Sequence, residues 1–256
     1  AWSTTGAQGP QGPEGATGPQ GVKGVTGATG AQGGGLVQAI VKDKDGGFAA
    51  RALTRKVDGE KAQALRAQGV EVVSADLDDE KSVEAAFRGA YGAFCVTNYW
   101  EHFSPEKELA QARHLAQAAK AAGLKHVIWS TLEDTRRWVP LSDDRMPTLM
   151  GKYTEPHLAA KGEANHFFTD AGLPVTPLHT SFYWDNFIYF GMGPKAGPDG
   201  KLAITLPMGD RKLPGIAAED IGKCAYGVFK AGGEFIGKSV GIAGEHLTGA
   251  DLKARK

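Results

Sequence analysis

Residues 26–35 read TGATGAQGGG, and an apolar run at 36–41 follows at once. Within this stretch Gly27, Gly30 and Gly33 fall three residues apart. Glycine permits a positive φ and lets a ligand approach the backbone closely. The free N–H groups at the start of a helix, together with the helix dipole, suit a pyrophosphate. This stretch therefore predicts a phosphate-binding loop between a strand and a helix.

The same glycines also fit a second pattern, because glycine recurs at every third position from residue 6 to residue 33. This G-X-Y repeat resembles bacterial collagen-like sequence. The loop spacing is G-x-x-G-x-x-G, whereas the dinucleotide fingerprint is G-x-G-x-x-G. Residues 1–21 are predicted to form a low-complexity, disordered, collagen-like arm. A collagen-like surface or structural protein, with the rest of the chain as a passenger, is therefore one function class to test.

The segment before the loop, Gly21–Val25, is unusual for the first strand of a parallel sheet. Such a strand is buried on both faces and is normally apolar throughout, yet this one contains Lys23 and Gly24. A buried lysine needs a partner, and glycine weakens a strand interior. We therefore expect apolar residues in place of Lys23 and Gly24 to raise the midpoint of unfolding.

Strand-like and helix-like segments alternate along the rest of the chain. Five further strands are predicted, at 48–54, 70–75, 93–97, 126–130 and 173–180. The long helix after the fourth strand has Ser104 as its N-cap and Gly123 past its end, as capping preferences require. Such alternation predicts an α/β fold with a doubly wound parallel sheet of the Rossmann type. We expect residues 22–172 to form this Rossmann-type domain and residues 173–256 a smaller C-terminal α/β subdomain.

Composition excludes several classes of partner. The 256 residues carry 29 basic and 29 acidic side chains, so no net charge favours direct binding of nucleic acid or of an anionic membrane. No apolar run approaches the roughly 20 residues of a membrane span, and no secretory signal is visible. Cys95 and Cys224 lie in apolar surroundings, which favours free thiols in a reducing, cytoplasmic compartment. The seven histidines lack the spacing of a metal site.

The end of the second predicted strand bears on the choice of cofactor. In dinucleotide-binding folds an Asp or Glu there contacts the ribose 2′-OH of NAD, whereas Arg accommodates the 2′-phosphate of NADP. This chain has Arg55 and Lys56 at that point and no acid before Asp58, which favours NADP(H). The alternative is that both are ordinary solvated residues leading into a helix. Asp76 and Leu77, after the third strand, would flank the adenine, although an acid there also suits a helix cap.

Blocks of sequence along the chain carry a family resemblance. They read GATGAQGG, LTRK, VVSADLDD, FCVTNYWE, HVIWSTLED, HLAAKGE and IAAEDIGK. These blocks resemble the NmrA-like family of atypical short-chain dehydrogenases, close to its HSCARG-like branch of NADP(H) redox sensors. The resemblance covers about residues 27–249 and implies a Rossmann domain, a small substrate-type domain and NADP(H) as the ligand. The chain departs from the family in its first strand and in stopping at Lys256, where members usually continue with further helices.

The resemblance also implies a set of cofactor-binding residues. The pyrophosphate would lie on the glycine loop, at Gly27, Thr29, Gly30, Ala31, Gln32 and Gly33. Arg55, with Lys56 beside it, would bind the 2′-phosphate, and Lys161 would bond the ribose hydroxyls. The nicotinamide side would be lined by Thr97, Asn98 and Tyr99.

The motif HLAAKGE at residues 157–163 bears on catalysis. Short-chain dehydrogenases reduce carbonyls with a Tyr-x-x-x-Lys pair, in which the lysine lowers the tyrosine pKa and the tyrosine donates the proton. Here the residue four before Lys161 is His157, while Tyr153 lies eight before it with Pro156 between. His157 and Lys161 are therefore the catalytic candidates, since histidine can donate a proton near neutral pH. The alternative is that His157 is a half-buried polar residue at a helix start.

Two further function classes follow from the cofactor site. The first is an NADP(H)-binding regulatory protein that senses the redox state of the cofactor and passes it to a protein partner, because the site is intact while the tyrosine is missing. The alternative is an NADPH-dependent oxidoreductase acting on a quinone or another carbonyl, with His157 or water as the proton source. The aromatic stretch at 181–187 is expected to cover the nicotinamide pocket or to join the core. A homodimer is a further expectation.

Overall fold

A computed structural model describes residues 21–254. The strands are β1 (Gly21–Val25), β2 (Phe48–Thr54), β3 (Glu71–Ser74), β4 (Gly92–Cys95), β5 (His126–Thr131), β6 (Val175–His179), β7 (Phe182–Tyr183), β8 (Lys195–Ala196), β9 (Leu202–Ala203), β10 (Leu213–Ile216), β11 (Val240–Gly241) and β12 (Glu245–Leu247). Seven of them form a parallel sheet in the order β11-β6-β5-β4-β1-β2-β3. The order reverses between β1 and β4, which confirms the predicted doubly wound α/β fold.

Helices cover both faces of this sheet. The α-helices of residues 21–254 are α1 (Ala31–Lys42), α2 (Glu60–Ala67), α3 (Glu80–Phe87), α4 (Pro105–Ala121), α5 (Pro156–Glu163), α6 (Asn165–Asp170), α7 (Asn186–Tyr189), α8 (Ala218–Lys230) and α9 (Gly249–Ala254). Because successive strand residues point to opposite faces, Phe94 and Ile128 pack in the core with α1 and α8. Their neighbours Cys95 and Trp129 pack on the other face with α3 and α4. Cys95 and Cys224 are both free thiols, as predicted.

The glycine run turns the chain sharply and then starts a helix. Gly27 has a φ of +63°, and α1 begins at Ala31, within the glycine run. A Cβ on Gly33 would lie 2.6 Å from the carbonyl oxygen of Gly27, and one on Gly35 would lie 2.0 Å from that of Glu219 in α8. The second half of the run therefore serves close packing, of α1 on its own loop and of α1 on α8.

Strand β1 forms in the centre of the sheet despite its unusual sequence, between β2 and β4. The side chain of Lys23 is fully buried. Its ammonium group lies 3.5 Å from the ring centre of Tyr91, 4.4 Å from that of Phe48 and 4.7 Å from that of Phe229. Among the residues described, no hydrogen-bond partner reaches this Nζ atom. Three aromatic rings thus take the place of the expected polar partner, and burial lowers the pKa of Lys23 to about 7.

The expectation for Gly24 needs a correction. A Cβ on this residue would lie only 3.0 Å from Cδ1 of Phe87, a side chain that is itself fully buried. An apolar side chain at Gly24 would therefore overpack the core unless Phe87 moved. The expected gain in stability is kept for Lys23 alone. Of the predicted arm, only Gly21 lies within the described residues, and it is the first residue of β1.

Residues on both sides of position 172, the predicted domain boundary, contribute to the large sheet. β6 and β11 follow that position, and β6 pairs with β5. The predicted second domain at 173–256 therefore shares the sheet, and its independence stays a prediction. β7, β10 and β12 form a second sheet, and β8 and β9 form an antiparallel pair. Within residues 21–254, no helix is both long enough and apolar enough to cross a membrane.

Candidate functional site

A cavity of about 1230 Å³ lies at the carboxyl edge of the large sheet, where the strand order reverses. Open α/β sheets bind their ligands at this place. The volume exceeds the ~300–1,000 Å³ of ordinary small-molecule pockets. The predicted site residues that line the cavity are Gly27, Thr29, Gly30, Ala31, Gln32, Gly33, Arg55, Asp76, Leu77, Thr97, Asn98 and His157. Lys56, Tyr99 and Lys161 are predicted site residues that do not line it.

The start of α1 offers backbone donors to this cavity. Gly30 is the N-cap, and it has no side chain with which to cap this end of the helix. The N–H of Gly30 donates to the carbonyl of Gly27 at 2.8 Å, which closes the turn. The first helical residues, Ala31 and Gln32, line the cavity. Because the first N–H groups of a helix have no partner within it, and the helix dipole is positive here, an anionic group fits this end.

The side chain of Gln32 is held by two other parts of the fold. Its Oε1 accepts a hydrogen bond from Ser130 Oγ at 2.7 Å, and its Nε2 donates to the hydroxyl of Tyr183 at 2.7 Å. Burial raises the pKa of Tyr183, so this phenol stays protonated. The network fixes α1 against β5 and β7 and leaves the backbone of Gln32 to face a ligand. Sequence reasoning singled out the stretch at 181–187 but did not assign Tyr183 to this contact.

Arg55, which follows β2, also lines the cavity and pairs with Glu101. About half of each side chain is exposed, 54% for Arg55 and 48% for Glu101. The hydrogen bond from Arg55 to Glu101 raises the pKa of the guanidinium. Glu101 ends a 3₁₀ helix, Tyr99–Glu101, that follows β4. Sequence reasoning missed it, although it is the last residue of the block FCVTNYWE.

Lys161 belongs to a buried polar cluster next to the cavity. Its ammonium donates to Thr97 Oγ1 at 2.6 Å, to the Thr97 carbonyl at 3.3 Å and to Glu108 Oε1 at 2.7 Å. These contacts engage all three donors of the lysine. Contact with a ribose hydroxyl would require one of them to be released, so that role stays a prediction. Sequence reasoning did not assign Glu108 to the site.

Glu108 is the anionic centre of this cluster. Burial by itself raises the pKa of this carboxyl, but the charge of Lys161 and the hydrogen bonds from Lys161 and Thr97 outweigh it, and the pKa is lowered. The side chain of Glu108 is fully buried. A buried charge pair of this kind holds its members in place, because removing either partner leaves the other uncompensated.

His157 lies in the first turn of α5 and lines the cavity. Its ring centre is 5.1 Å from that of Tyr99 and 4.8 Å from that of Trp100. Burial, helped by the nearby charge of Lys161, lowers the pKa of His157 to about 4. The imidazole is therefore neutral at pH 7 and is a weak source of protons there. Tyr153 is fully buried and does not line the cavity.

The sequence of this chain is similar to those of known proteins. A model of the NmrA-like family matches residues 23–254. The NmrA-like family domain-containing oxidoreductase notA of Aspergillus sp. (strain MF297-2) is 31% identical over 214 residues, which cover 77% of this chain and 60% of that protein. The corresponding oxidoreductase FrzB of Cladobotryum sp is 29% identical over 77% of this chain and 61% of that protein. The chain thus spans about three fifths of the length of these relatives.

Solved structures show the same relationship. NmrA, a negative transcriptional regulator, superimposes with a TM-score of 0.75 and 26% identity over 91% of this chain and 70% of that one. Structures of NmrA in complex with NAD and with NADP give the same TM-score. The NADPH-dependent quinone oxidoreductase QOR2 of Escherichia coli, complexed with NADPH, gives a TM-score of 0.68 and 25% identity over 91% and 73%. The chain therefore belongs to the NmrA-like family.

Proposed function

We propose that this protein binds NADP(H) and acts as a redox-responsive regulator of the HSCARG-like kind, passing the state of its cofactor to a protein partner. The observation that carries the proposal is that the N-terminal end of α1 and Arg55 line the same cavity. The loop fits a pyrophosphate because the first N–H groups of α1 have no partner within the helix and the N-cap Gly30 has no side chain to bond them.

Arg55 supports NADP(H) in preference to NAD(H). An arginine at the end of the second strand suits a 2′-phosphate, and no acid stands beside it in the chain before Asp58. The related regulator NmrA has been crystallised with NAD as well as with NADP, so the relatives are compatible with either cofactor. The proposed preference for NADP(H) therefore rests on Arg55, which follows β2, and on its positive charge.

The residues at the proposed catalytic positions, His157 and Lys161, support a regulatory role over catalytic turnover. Short-chain dehydrogenases use tyrosine as the proton donor, and the position four residues before Lys161 is His157, which is neutral at pH 7. With the cofactor bound, this chain would hold a hydride donor or acceptor without an efficient acid beside it. The free thiols suit a reducing compartment such as the cytoplasm. A homodimer is part of the same proposal.

A second candidate is an NADPH-dependent oxidoreductase acting on a quinone or a similar carbonyl. The cavity is also lined by a group of aromatic side chains, Trp100, Phe182, Tyr189 and Phe190. A flat conjugated substrate would pack well on such rings. The names of the matched relatives notA and FrzB, both oxidoreductases, favour the same candidate.

Titration of the protein with NADP, NADPH, NAD and NADH by calorimetry tests the cofactor assignment. We expect binding of the phosphorylated pair, and a regulator should distinguish the oxidised from the reduced form. Turnover of bound NADPH with a panel of quinones and aldehydes then separates the two candidates. Equal binding of all four dinucleotides would contradict the sensor, and rapid turnover would favour the oxidoreductase.

A further inference from the structure

We infer that Glu101 sets the cofactor preference of the site, by competing with the 2′-phosphate of NADP(H) for Arg55. The inference rests on the proposed function, since it needs a dinucleotide in the cavity. Glu101 belongs neither to the glycine loop nor to the end of β2.

Arg55 and Glu101 form an ion pair in the lining of the cavity. Arg55 follows β2 and Glu101 follows β4, while β1 lies between these two strands in the sheet. Both side chains line the cavity. A ligand that extends from the glycine loop toward β2 therefore comes to a guanidinium already paired with a carboxylate. An ion pair about half exposed to solvent is weak, so an incoming anion can replace it.

The surrounding charges make Glu101 the principal competitor. The carboxylates of Asp76 and Asp78 also raise the pKa of Arg55, but less than Glu101 does. Asp78 is engaged elsewhere, with Lys107 Nζ at 2.7 Å and Gln111 Nε2 at 2.8 Å. Glu101 is the acid that contacts Arg55 directly.

This arrangement penalises only the phosphorylated cofactor. A 2′-phosphate carries close to two negative charges and has to displace Glu101 from Arg55 while remaining near its carboxylate. The neutral 2′-OH of NAD(H) requires no such exchange. Glu101 therefore reduces the preference for NADP(H) that Arg55 alone would give, and removal of its charge should widen that preference.

Calorimetric titration of NADPH and NADH into the intact chain tests the inference in the unmodified protein and in Glu101→Gln. We expect Glu101→Gln to bind NADPH about 3- to 10-fold more tightly, the scale of one exposed charge pair with a relieved repulsion, and to bind NADH within about twofold of the unmodified protein. The NADPH gain should shrink at high salt, because exposed charges are screened. Glu84→Gln is the matched control, since it removes the same charge and an arginine pair, with Arg88, outside the cavity lining.

A second background separates competition from simple repulsion. In Arg55→Ala the further change Glu101→Gln should give a clearly smaller gain for NADPH, because there is no guanidinium to release. An equal gain with and without Arg55 would overturn the inference, as would weaker NADPH binding by Glu101→Gln alone. Either result leaves the proposed function standing if the unmodified protein binds NADPH. Binding of neither NADPH nor NADH by the unmodified protein would overturn both.

Discussion

Arg55 is a residue whose charge can be tested in isolation. It lines the cavity with about half of its side chain exposed, whereas the adjacent Lys56 does not line it. If Arg55 holds the 2′-phosphate, Arg55→Ala should weaken NADP(H) binding by about 1.5 to 3 kcal/mol, the range for hydrogen bonds to charged groups, and leave NAD binding almost unchanged. Lys56→Ala removes the same charge one residue away and should have little effect on either. Equal losses for both cofactors would show that Arg55 does not read the phosphate.

Lys23 gives a residue-scale prediction about stability. Its pKa falls from an ordinary 10.5 to about 7 because the ammonium is buried. The unfolded chain therefore holds this proton more strongly than the folded one, and stability should rise with pH between about 7 and 10.5. Lys23→Met should raise the free energy of unfolding at pH 7 by roughly 2 to 5 kcal/mol. The upper figure is the pKa shift converted to free energy, and the loss of the contacts between the ammonium and the three rings reduces the gain.

Thermal and denaturant unfolding across this pH range provide the measurement. In the Met variant the free energy of unfolding should no longer rise between pH 7 and 10.5. Its advantage over the unmodified protein should be largest near pH 7. Lys125→Met, at an exposed lysine before β5, should change stability by less than about 0.5 kcal/mol. If Lys23→Met is less stable than the unmodified protein at pH 7, the three rings compensate the buried charge fully.

At the scale of elements, the packing of α1 on α8 depends on a missing side chain. Gly35→Ala replaces glycine by a better helix former, worth up to ~1 kcal/mol in an exposed helix, yet its Cβ would lie 2.0 Å from the carbonyl oxygen of Glu219. We expect a net loss of about 1 to 3 kcal/mol from overpacking. Gly34→Ala, whose Cβ would lie 3.4 Å from the Ala28 carbonyl oxygen, should be neutral or stabilising. Chemical denaturation of both variants measures these changes in stability. Equal effects of the two substitutions would contradict this role for Gly35.

Strand β2 and helices α1 and α4 show how far such elements can be predicted from sequence. The bounds of β2 are those expected, and the Ser104 hydroxyl accepts from the Lys107 N–H at 3.2 Å as an N-cap should. These features are local, so neighbouring residues suffice to predict them. The close packing at Gly35 depends on Glu219 in α8, 184 residues further along the chain. Glycine propensity alone would assign those residues to a loop.

At the scale of the whole molecule, the cavity joins segments that are far apart in the chain. The glycine loop and Arg55 were predictable because a strand-to-helix turn and a strand end have known roles. Glu101, Glu108 and Tyr183 were not assigned, since each acts through a partner between 46 and 151 residues away. Charge, hydropathy and spacing do not predict such pairings when helices and loops of variable length separate the partners. The fold class was therefore predicted more completely than the site.

The assembled site leads to a prediction about catalysis. Two features oppose efficient carbonyl reduction: His157 has a pKa near 4, and the donors of Lys161 are taken by Thr97 and Glu108. General acid catalysis typically supplies ~10²- to 10⁴-fold in rate, so a site without an efficient acid should bind NADPH and still reduce carbonyls slowly.

Steady-state assays with quinones and aldehydes between pH 5 and 8 test this expectation. We expect a kcat far below the enzyme median of ~10 s⁻¹ and no change in rate near pH 6.5, because His157 gains its proton only as the pH falls toward 4. His157→Phe should bind NADPH within about twofold of the unmodified protein. Tyr153→Phe is the control, since this buried hydroxyl lies outside the cavity lining. A kcat near the median that His157→Phe abolishes and Tyr153→Phe leaves intact would replace the regulator by the oxidoreductase.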